Sequence, residues 1–248
     1  MAGRLKQLAK QIPILPSLYR ELRNRWDSLQ LKSKTAEQVF TDIYINNSWG
    51  GKDSVSGQGS DIFQTRIIAR EIPLIFKAYG ISTLLDIPCG DFFWMNTVDM
   101  KGVEYTGADI VSDLINNNTA RYARNNVRFL KMDIIKSQLP KVDLIFCRDC
   151  LVHLSFEDII CALNNVCNSR SAYILTTTFT EETTNRNIAT GQWRTLNLER
   201  APFNLPKPIL TINEGCTEYE GDFKDKALGL WKISDIQKSL APKDGDRS

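Results

Sequence analysis

The residues of this chain that can do chemistry recur at one kind of position. Asp86, Asp109, Asp133 and Asp149 each close a short apolar, strand-like run, and His153, the only histidine, stands four residues beyond the last. A single strand-end aspartate carries little information, since Asp is common in turns and helix caps. Four along consecutive strands are different. A half-buried carboxylate is costly unless something donates hydrogen bonds to it. Ribose hydroxyls and an adenine amino group are such donors, so the row predicts a nucleoside-bearing ligand. His153 has an ordinary pKa of about 6.5, suited to taking a proton from a hydroxyl at neutral pH. Its alternative role is to cap or underlie the helix that follows. Asp149 either orients His153, serves as the base itself, or pairs with Arg148.

The turn after the first run narrows the ligand. It reads Asp86-Ile87-Pro88-Cys89-Gly90-Asp91, within LLDIPCGDFFWM at residues 84–95. A dinucleotide fingerprint needs three glycines, so that a pyrophosphate can approach a helix N-terminus. One Gly stands here where three are wanted, and Asp91 would repel a phosphate. A ligand with a cationic amino-acid end suits the turn better.

The elements that must position these residues alternate along the chain. Strand-like runs at 82–87, 104–110, 127–134, 142–149 and 172–179 are separated by a turn with a short helix, then by helical patterns near 111–124 and 155–168. This order predicts a parallel sheet covered on both faces, with ligands at the carboxyl ends of its strands. Upstream, the Gly-, Ser- and Asn-rich stretch 46–61 is a loop. It is either a plain connector or a flap that folds over the ligand, because Gly permits close backbone approach. Asp61 is placed to cap a helix over 62–79 that ends at Gly80, with Pro73 kinking or dividing it. Downstream come a polar loop at 180–198, a Pro-rich stretch at 201–208 and a strand at 226–233. The segment 180–204 is long for a connection. It carries Asn187, Gln192, Trp193, Arg194 and Asn197, and an aromatic with amides can hold a sugar by stacking and hydroxyl hydrogen bonds. Alternatively, Trp193 and Phe203 anchor the loop to the core. Trp94 reads as core or ligand wall.

Composition excludes several classes. Hydrophobic residues at 42 % and charged residues at 24 % are ordinary for a globular protein, and a net charge of +2 favours no polyanion. No basic patch lies near the site in sequence, so nucleic acid is not an expected partner. No apolar run reaches spanning length and no secretory signal region is visible, which predicts a cytoplasmic location. Residues 1–38 stand apart, with eight Lys/Arg (4, 6, 10, 20, 23, 25, 32, 34) against three acids (21, 27, 37). They are either a basic amphipathic arm for the inner face of an anionic membrane or a solvated packing extension. The six cysteines read as small buried thiols in a reducing compartment. Cys147 and Cys150 form a CxxC spacing with no second pair at zinc-site distance, so no metal is expected.

These features together resemble class I S-adenosylmethionine-dependent methyltransferases. Their first motif, acid-x-Gly-x-Gly, is matched by Asp86 and Gly90, with Pro88 where the first Gly is usual. The resemblance implies a cofactor site in which Asp86, Pro88, Gly90 and Asp91 form the methionine-side turn. It also implies that Asp109 with Ile110 holds the ribose, that Asp133 and Ile134 bracket the adenine, and that Arg148 belongs to the same site. The stretch DLIFCRDCLVHLS (143–155) resembles the motif facing the transferred methyl group, which implies that His153 and Asp149 handle the acceptor proton. The implied fold is α/β: a doubly wound, mostly parallel, seven-stranded Rossmann-like sheet with a helical N-terminal extension. Residues 1–54 would be extension and loop, 55–240 the domain and 241–248 a disordered tail.

A finer resemblance is carried by Ser56-Gly57-Gln58-Gly59-Ser60, Pro88 to Met95, Cys147 to Ser155 and Gly191 to Phe203. It is to bacterial, algal and viral methyltransferases associated with O-methylation of sugars in surface glycans. It implies a sugar acceptor of a glycan or glycolipid precursor, touched by Trp193, Arg194 and Asn197. The Asp/Asn-Pro-Pro-aromatic block of base N-methyltransferases is absent, as is the Lys-Asp-Lys-Glu set of ribose methyltransferases. Two rivals remain: O- or N-methylation of a small secondary metabolite, and a catalytically silent cofactor-binding protein.

Overall fold

Leu84 and Leu85 are sequence neighbours that fall into different cores. The same holds for Ile145 and Phe146, and for Ile174 and Leu175. Successive strand residues point to opposite faces, so a sheet covered on both sides buries every one of them and its strands read as continuous apolar runs. Each such Leu, 1 % or less exposed, contributes about 2 kcal/mol through burial.

The computed structural model describes Leu31 and residues 33–241. Most of the basic arm and nearly all of the tail expected at 241–248 lie outside the described residues. Among the described residues, helix α1 (Ala36–Ile45) is followed by the loop and α2 (Ile62–Tyr79). Then come β1 (Thr83–Asp86), β2 (Glu104–Asp109), α3 (Ser112–Tyr122), β3 (Val127–Lys131), β4 (Leu144–Cys147), α4 (Phe156–Asn168) and β5 (Tyr173–Phe179). β6 (Leu210–Asn213), β7 (Lys226–Lys232) and α5 (Ile233–Leu240) close the chain.

The seven strands lie in the order β3-β2-β1-β4-β5-β7-β6. Strands β1 to β5 are parallel, and β7 pairs antiparallel with both β5 and β6. Strand order reverses between β1 and β4, which are neighbours. That reversal opens a crevice at their carboxyl ends, where open α/β sheets bind ligands.

The expected helices over 62–79, 111–124 and 155–168 form, each a little shorter or equal. α2 buries Thr65, Ile68, Ile72, Ile75 and Phe76, one face of the helix, and ends at Gly80 in the left-handed conformation. It runs through Pro73 undivided. Asp61 sits at the cap position, but its carboxylate accepts from the Asp53 N–H at 3.0 Å across the loop instead of capping α2. The short helix expected after β1 is absent. Phe92 takes φ of 59°, which breaks a helix, and only a 3₁₀ turn forms at Met95–Thr97. α1 belongs to the helical extension expected within residues 1–54, whereas α5 and the edge strand β6 were not foreseen.

Candidate active site

A cleft with an empty volume of about 1080 Å³, open mouth included, lies over the carboxyl ends of β1, β2 and β4. Its walls include Asp86, Pro88, Gly90, Asp91, Asp109, Ile110, Asp133, Ile134, Arg148, Asp149 and His153. The structure thus gathers every residue expected for the cofactor and the acceptor proton into one place. Asp86 and Asp109 end their strands as expected, whereas Asp133 and Asp149 lie two residues past the last strand residue.

The β1 turn is built by hydrogen bonds that leave no freedom. Ile87 N donates to Phe146 O of β4 and Cys89 N to Ala108 O of β2, at 2.9 and 2.8 Å. Pro88 lies between them, so its missing N–H interrupts no ladder bond. Gly90 is required twice. Its φ is 53°, and a Cβ there would overlap Ser56 Oγ. Gly90 N and Val111 N donate to the two Asp109 oxygens, at 3.2 and 2.9 Å. The carboxylate also lines the cleft. Asn118, on α3 and 2 % exposed, donates to Gly90 O at 2.7 Å.

The acids at this end are held in the neutral direction. Burial pushes Asp86 up to about 8, against the hydrogen bond donated by Tyr105 Oη at 2.5 Å. Burial likewise pushes Asp109 up to about 6, against the backbone N–H donors. Asp133 is also raised by burial, and its Oδ1 accepts from Ile135 N at 2.8 Å.

The 46–61 loop is a flap and not a plain connector. Ser54 Oγ and Val55 N each donate to Asp91 at 3.0 Å, and Asp91 N donates to Ser56 Oγ at 3.2 Å. Val55, Ser56 and Ser60 line the cleft. Asp91 therefore faces the cleft with its carboxylate already committed to the loop.

On the β4 side, Arg148 is 6 % exposed and does not point a free guanidinium at a ligand. It pairs with Glu214, Nη2 to Oε2 at 2.6 Å, and donates to Gly59 O at 2.8 Å. Asp149, with φ of 51°, meets Lys226 Nζ at 2.7 Å and Arg148 Nη1 at 3.3 Å. Burial would raise Asp149, but the Arg148 and Lys226 cations outweigh it and hold the carboxyl well below the usual range. Asp149 is thus a charged member of an ion network with Arg148 and Lys226. Glu214 and Lys226 were not foreseen; nothing local in the sequence marks them, because the β6–β7 hairpin brings them in from far along the chain.

His153 sits in a 3₁₀ turn, Leu151–His153. Its Nδ1 lies 3.1 Å from Gln192 O, an acceptor that demands the proton on Nδ1 and leaves the Nε2 lone pair free. Burial lowers its pKa to about 4, against the pull of Asp149. The ring stacks on Trp49 with centroids 4.8 Å apart. Trp49 lines the cleft with Phe40 and Tyr44 of α1. This aromatic wall was also missed, because α1 and the residues after it show no motif.

Three expected acceptor contacts lie elsewhere. Trp193, Arg194 and Asn197 are not part of the cleft wall. Trp193 packs edge-on against Phe179 and Phe223 at 6.2 and 4.9 Å. Arg194 is fully buried and donates to Leu151 O and Leu154 O, each at 2.9 Å. Asn197, 2 % exposed, donates to Glu182 O at 2.8 Å. Buried polar groups usually find partners inside the protein, and these find the backbone of their own loop and of the His153 turn, except Arg194 Nε, which is buried without a hydrogen-bond partner. The loop is a strap: Gly191 N donates to His153 O and Arg194 N to Val152 O.

Trp94, 8 % exposed, is core and cleft wall, with Arg148 over its ring at 5.6 Å. The cysteines are free and all but Cys161 are buried. Among the described residues no helix is long and apolar enough to cross a membrane.

Residues 85–175 match the family described as a methyltransferase domain. Curated protein sequences give no match. Among solved structures, the chain is similar to human N-acetylserotonin methyltransferase in complex with SAM, at 14 % identity and a TM-score of 0.56. That match covers 83 % of this chain and 61 % of the human protein, so the chain spans less than two thirds of that relative. It is also similar to the N-methyltransferase NodS from Bradyrhizobium japonicum with bound S-adenosyl-L-homocysteine, at 14 % identity and a TM-score of 0.54, covering 77 % and 97 % of the two chains. A third neighbour is the methyltransferase domain of bacterial CtHen1, at 12 % identity and a TM-score of 0.52, covering 69 % and 98 %. The chain has the fold of class I S-adenosylmethionine-dependent methyltransferases.

Proposed function

We propose that the chain transfers the methyl group of S-adenosylmethionine to a hydroxyl of a sugar, in a glycan or glycolipid precursor. The observation that carries hydroxyl chemistry is His153, whose Nδ1 proton is committed to Gln192 O while its Nε2 stays unprotonated beside the cleft. The cofactor, when bound, supplies a methyl group made electrophilic by a sulfonium. Asp86 would meet the ammonium of its methionine end, Asp109 would accept from the ribose hydroxyls, and Asp133 with Ile134 would border the adenine. His153 would accept the acceptor's hydroxyl proton at Nε2 as the methyl group passes to that oxygen and its bond to sulfur breaks, leaving the neutral thioether. A pKa of about 4 makes it a weak base, one that is always in the accepting form. It takes the proton late, when the oxygen has become acidic.

The sugar reading is supported by the resemblance of four sequence blocks to those of glycan methyltransferases, and by the aromatic wall of Phe40, Tyr44 and Trp49, which offers flat apolar surface to the face of a pyranose. The same wall favours one second reading, a flat small-molecule acceptor. Methyl transfer from radiolabelled S-adenosylmethionine to a panel of hexosides, lipid-linked sugars and phenolic compounds separates the two. Label in the phenols alone excludes the sugar reading.

A further inference from the structure

The Arg148 guanidinium joins two parts of the molecule that are remote in sequence. Glu214, 1 % exposed, holds it from the end of β6. Its Nη2 reaches in the other direction to the carbonyl of Gly59, in the 3₁₀ turn Gln58–Ser60 of the flap. Lys226, 5 % exposed, completes the group at 3.7 Å from Glu214 and 2.7 Å from Asp149. At its other end the same flap is tied to Asp91 of the β1 turn. The flap thus crosses the reversal point between β1 and β4 with one charged anchor on each wall. Gly59 sits directly on the ion network. A Cβ there would lie 3.3 Å from Asp149 Oδ2 and Glu218 Oε2, and 3.4 Å from Lys226 Nζ.

We propose that Glu214 is a positioning residue for the cofactor: through Arg148 it latches the Gly57–Ser60 turn down over the cleft, so that Ser56 and Ser60 close on the ligand. This rests on the reading of the cleft as an S-adenosylmethionine site. A pair that served the sheet alone would stabilise the protein without altering ligand affinity. A latch does both, because an open flap must be closed again at the expense of binding energy. Gly59 separates the two roles. Its backbone is ordinary, so Gly59→Ala crowds the latch without removing a charge from the core.

The test is calorimetric titration of S-adenosylhomocysteine into the unaltered protein and into Glu214→Gln, Glu214→Asp and Gly59→Ala, with hydrogen exchange read over residues 54–60. Glu214→Gln is expected to weaken affinity about tenfold, the value of one charged hydrogen bond, and to speed exchange in the flap. Glu214→Asp restores part of both, and Gly59→Ala shows a smaller loss in the same direction. A folded Glu214→Gln with unaltered affinity overturns the proposal. So does Gly59→Ala with unaltered affinity and exchange, which also decides the matter if Glu214→Gln does not fold. If the unaltered protein binds no S-adenosylhomocysteine, the cofactor reading itself falls, an outcome the variants cannot mimic.

Discussion

Asp86 and Asp149 follow neighbouring strands and face one cleft, yet the two ends of that cleft treat a carboxylate in opposite ways. Asp86 is 3 % exposed, hydrogen-bonded by Tyr105 and close to a second acid, Asp109; burial raises it to about 8. Among the described residues no cation comes within ion-pair distance of it. Asp149 has two cations against it and is held far below its ordinary value. The β4–β7 end supplies its own counter-charges and is complete as it stands. The β1–β2 end is short of a cation and of hydroxyl donors. Clefts that are electrostatically unfinished are where ligands belong, so the unfinished end points to where the ligand binds and the finished end to what holds the flap and the sheet around it.

The largest test of this difference is Asp109→Ala. It removes the acceptor expected to take the ribose hydroxyls and also frees Gly90 N and Val111 N from their shared carboxylate. Affinity for S-adenosylhomocysteine, measured by calorimetry, should fall about hundredfold or more. The matching change at the finished end should damage stability first. Lys226→Met leaves a buried Asp149–Glu214 pair with Arg148 alone, and should cost about 3–5 kcal/mol in urea denaturation.

Asp86→Asn should have the opposite sign in the same assay. A raised folded-state pKa means that the stabilising influence of the acid is present below about 4 and lost as pH rises towards about 8. Without the titrating group, the free protein should no longer lose stability across that window, although it should bind the cofactor less well. Asp86→Asn less stable than the unaltered protein at pH 8 would mean that the acid is not desolvated as described.

His153 gives an intermediate effect. His153→Ala should leave S-adenosylhomocysteine affinity unchanged and lower turnover about a hundredfold, the usual worth of a positioned base. The pH profile sharpens this. The imidazole is the active, neutral form, and it protonates only as pH falls through about 4. Turnover should therefore hold through pH 6 and decline on the acid side near pH 4, where an ordinary histidine would already be lost near 6.5.

The finished and unfinished ends also differ in how well they could be read from sequence. The β1–β2 end is local. Asp86, Gly90 and Asp109 lie within one β-turn-β unit, and strands buried on both faces with an acid at their ends mark them. The two-faced sheet was legible for the same reason: strands β1, β2, β4 and β5 are short apolar runs, and α2 and α4 carry one buried stripe each. The β4–β7 end is assembled from residues 59, 148–149, 214 and 226, which are far apart in sequence and are brought together by the flap, the end of β4 and the β6–β7 hairpin. The edge strand β6 alternates half-buried and exposed positions, with too little apolar signal to be marked. Loop 180–204 misled because Trp, Arg and Asn are sugar-binding types. In the fold the same types satisfy backbone carbonyls and fill a gap beside Phe179.

The smallest effect belongs to that loop, and it is the sharpest discriminator between the two tryptophans. Trp193 is 39 % exposed and stands outside the cleft against Phe179 and Phe223. Trp193→Ala should lower stability by about 1 kcal/mol and shift turnover by no more than about twofold, since the strap that fixes His153 runs through backbone atoms and Arg194. Trp49 is the contrary case: it lies in the cleft and supports the imidazole by stacking at 4.8 Å. Trp49→Ala should lower turnover more than Trp193→Ala while leaving S-adenosylhomocysteine affinity nearer to unaltered, because its contacts are with the histidine and not with the acids. If the order were reversed, with Trp193→Ala the more damaging to turnover, the acceptor would have to enter over the 180–204 loop. The aromatic wall of α1 would then be packing and nothing more.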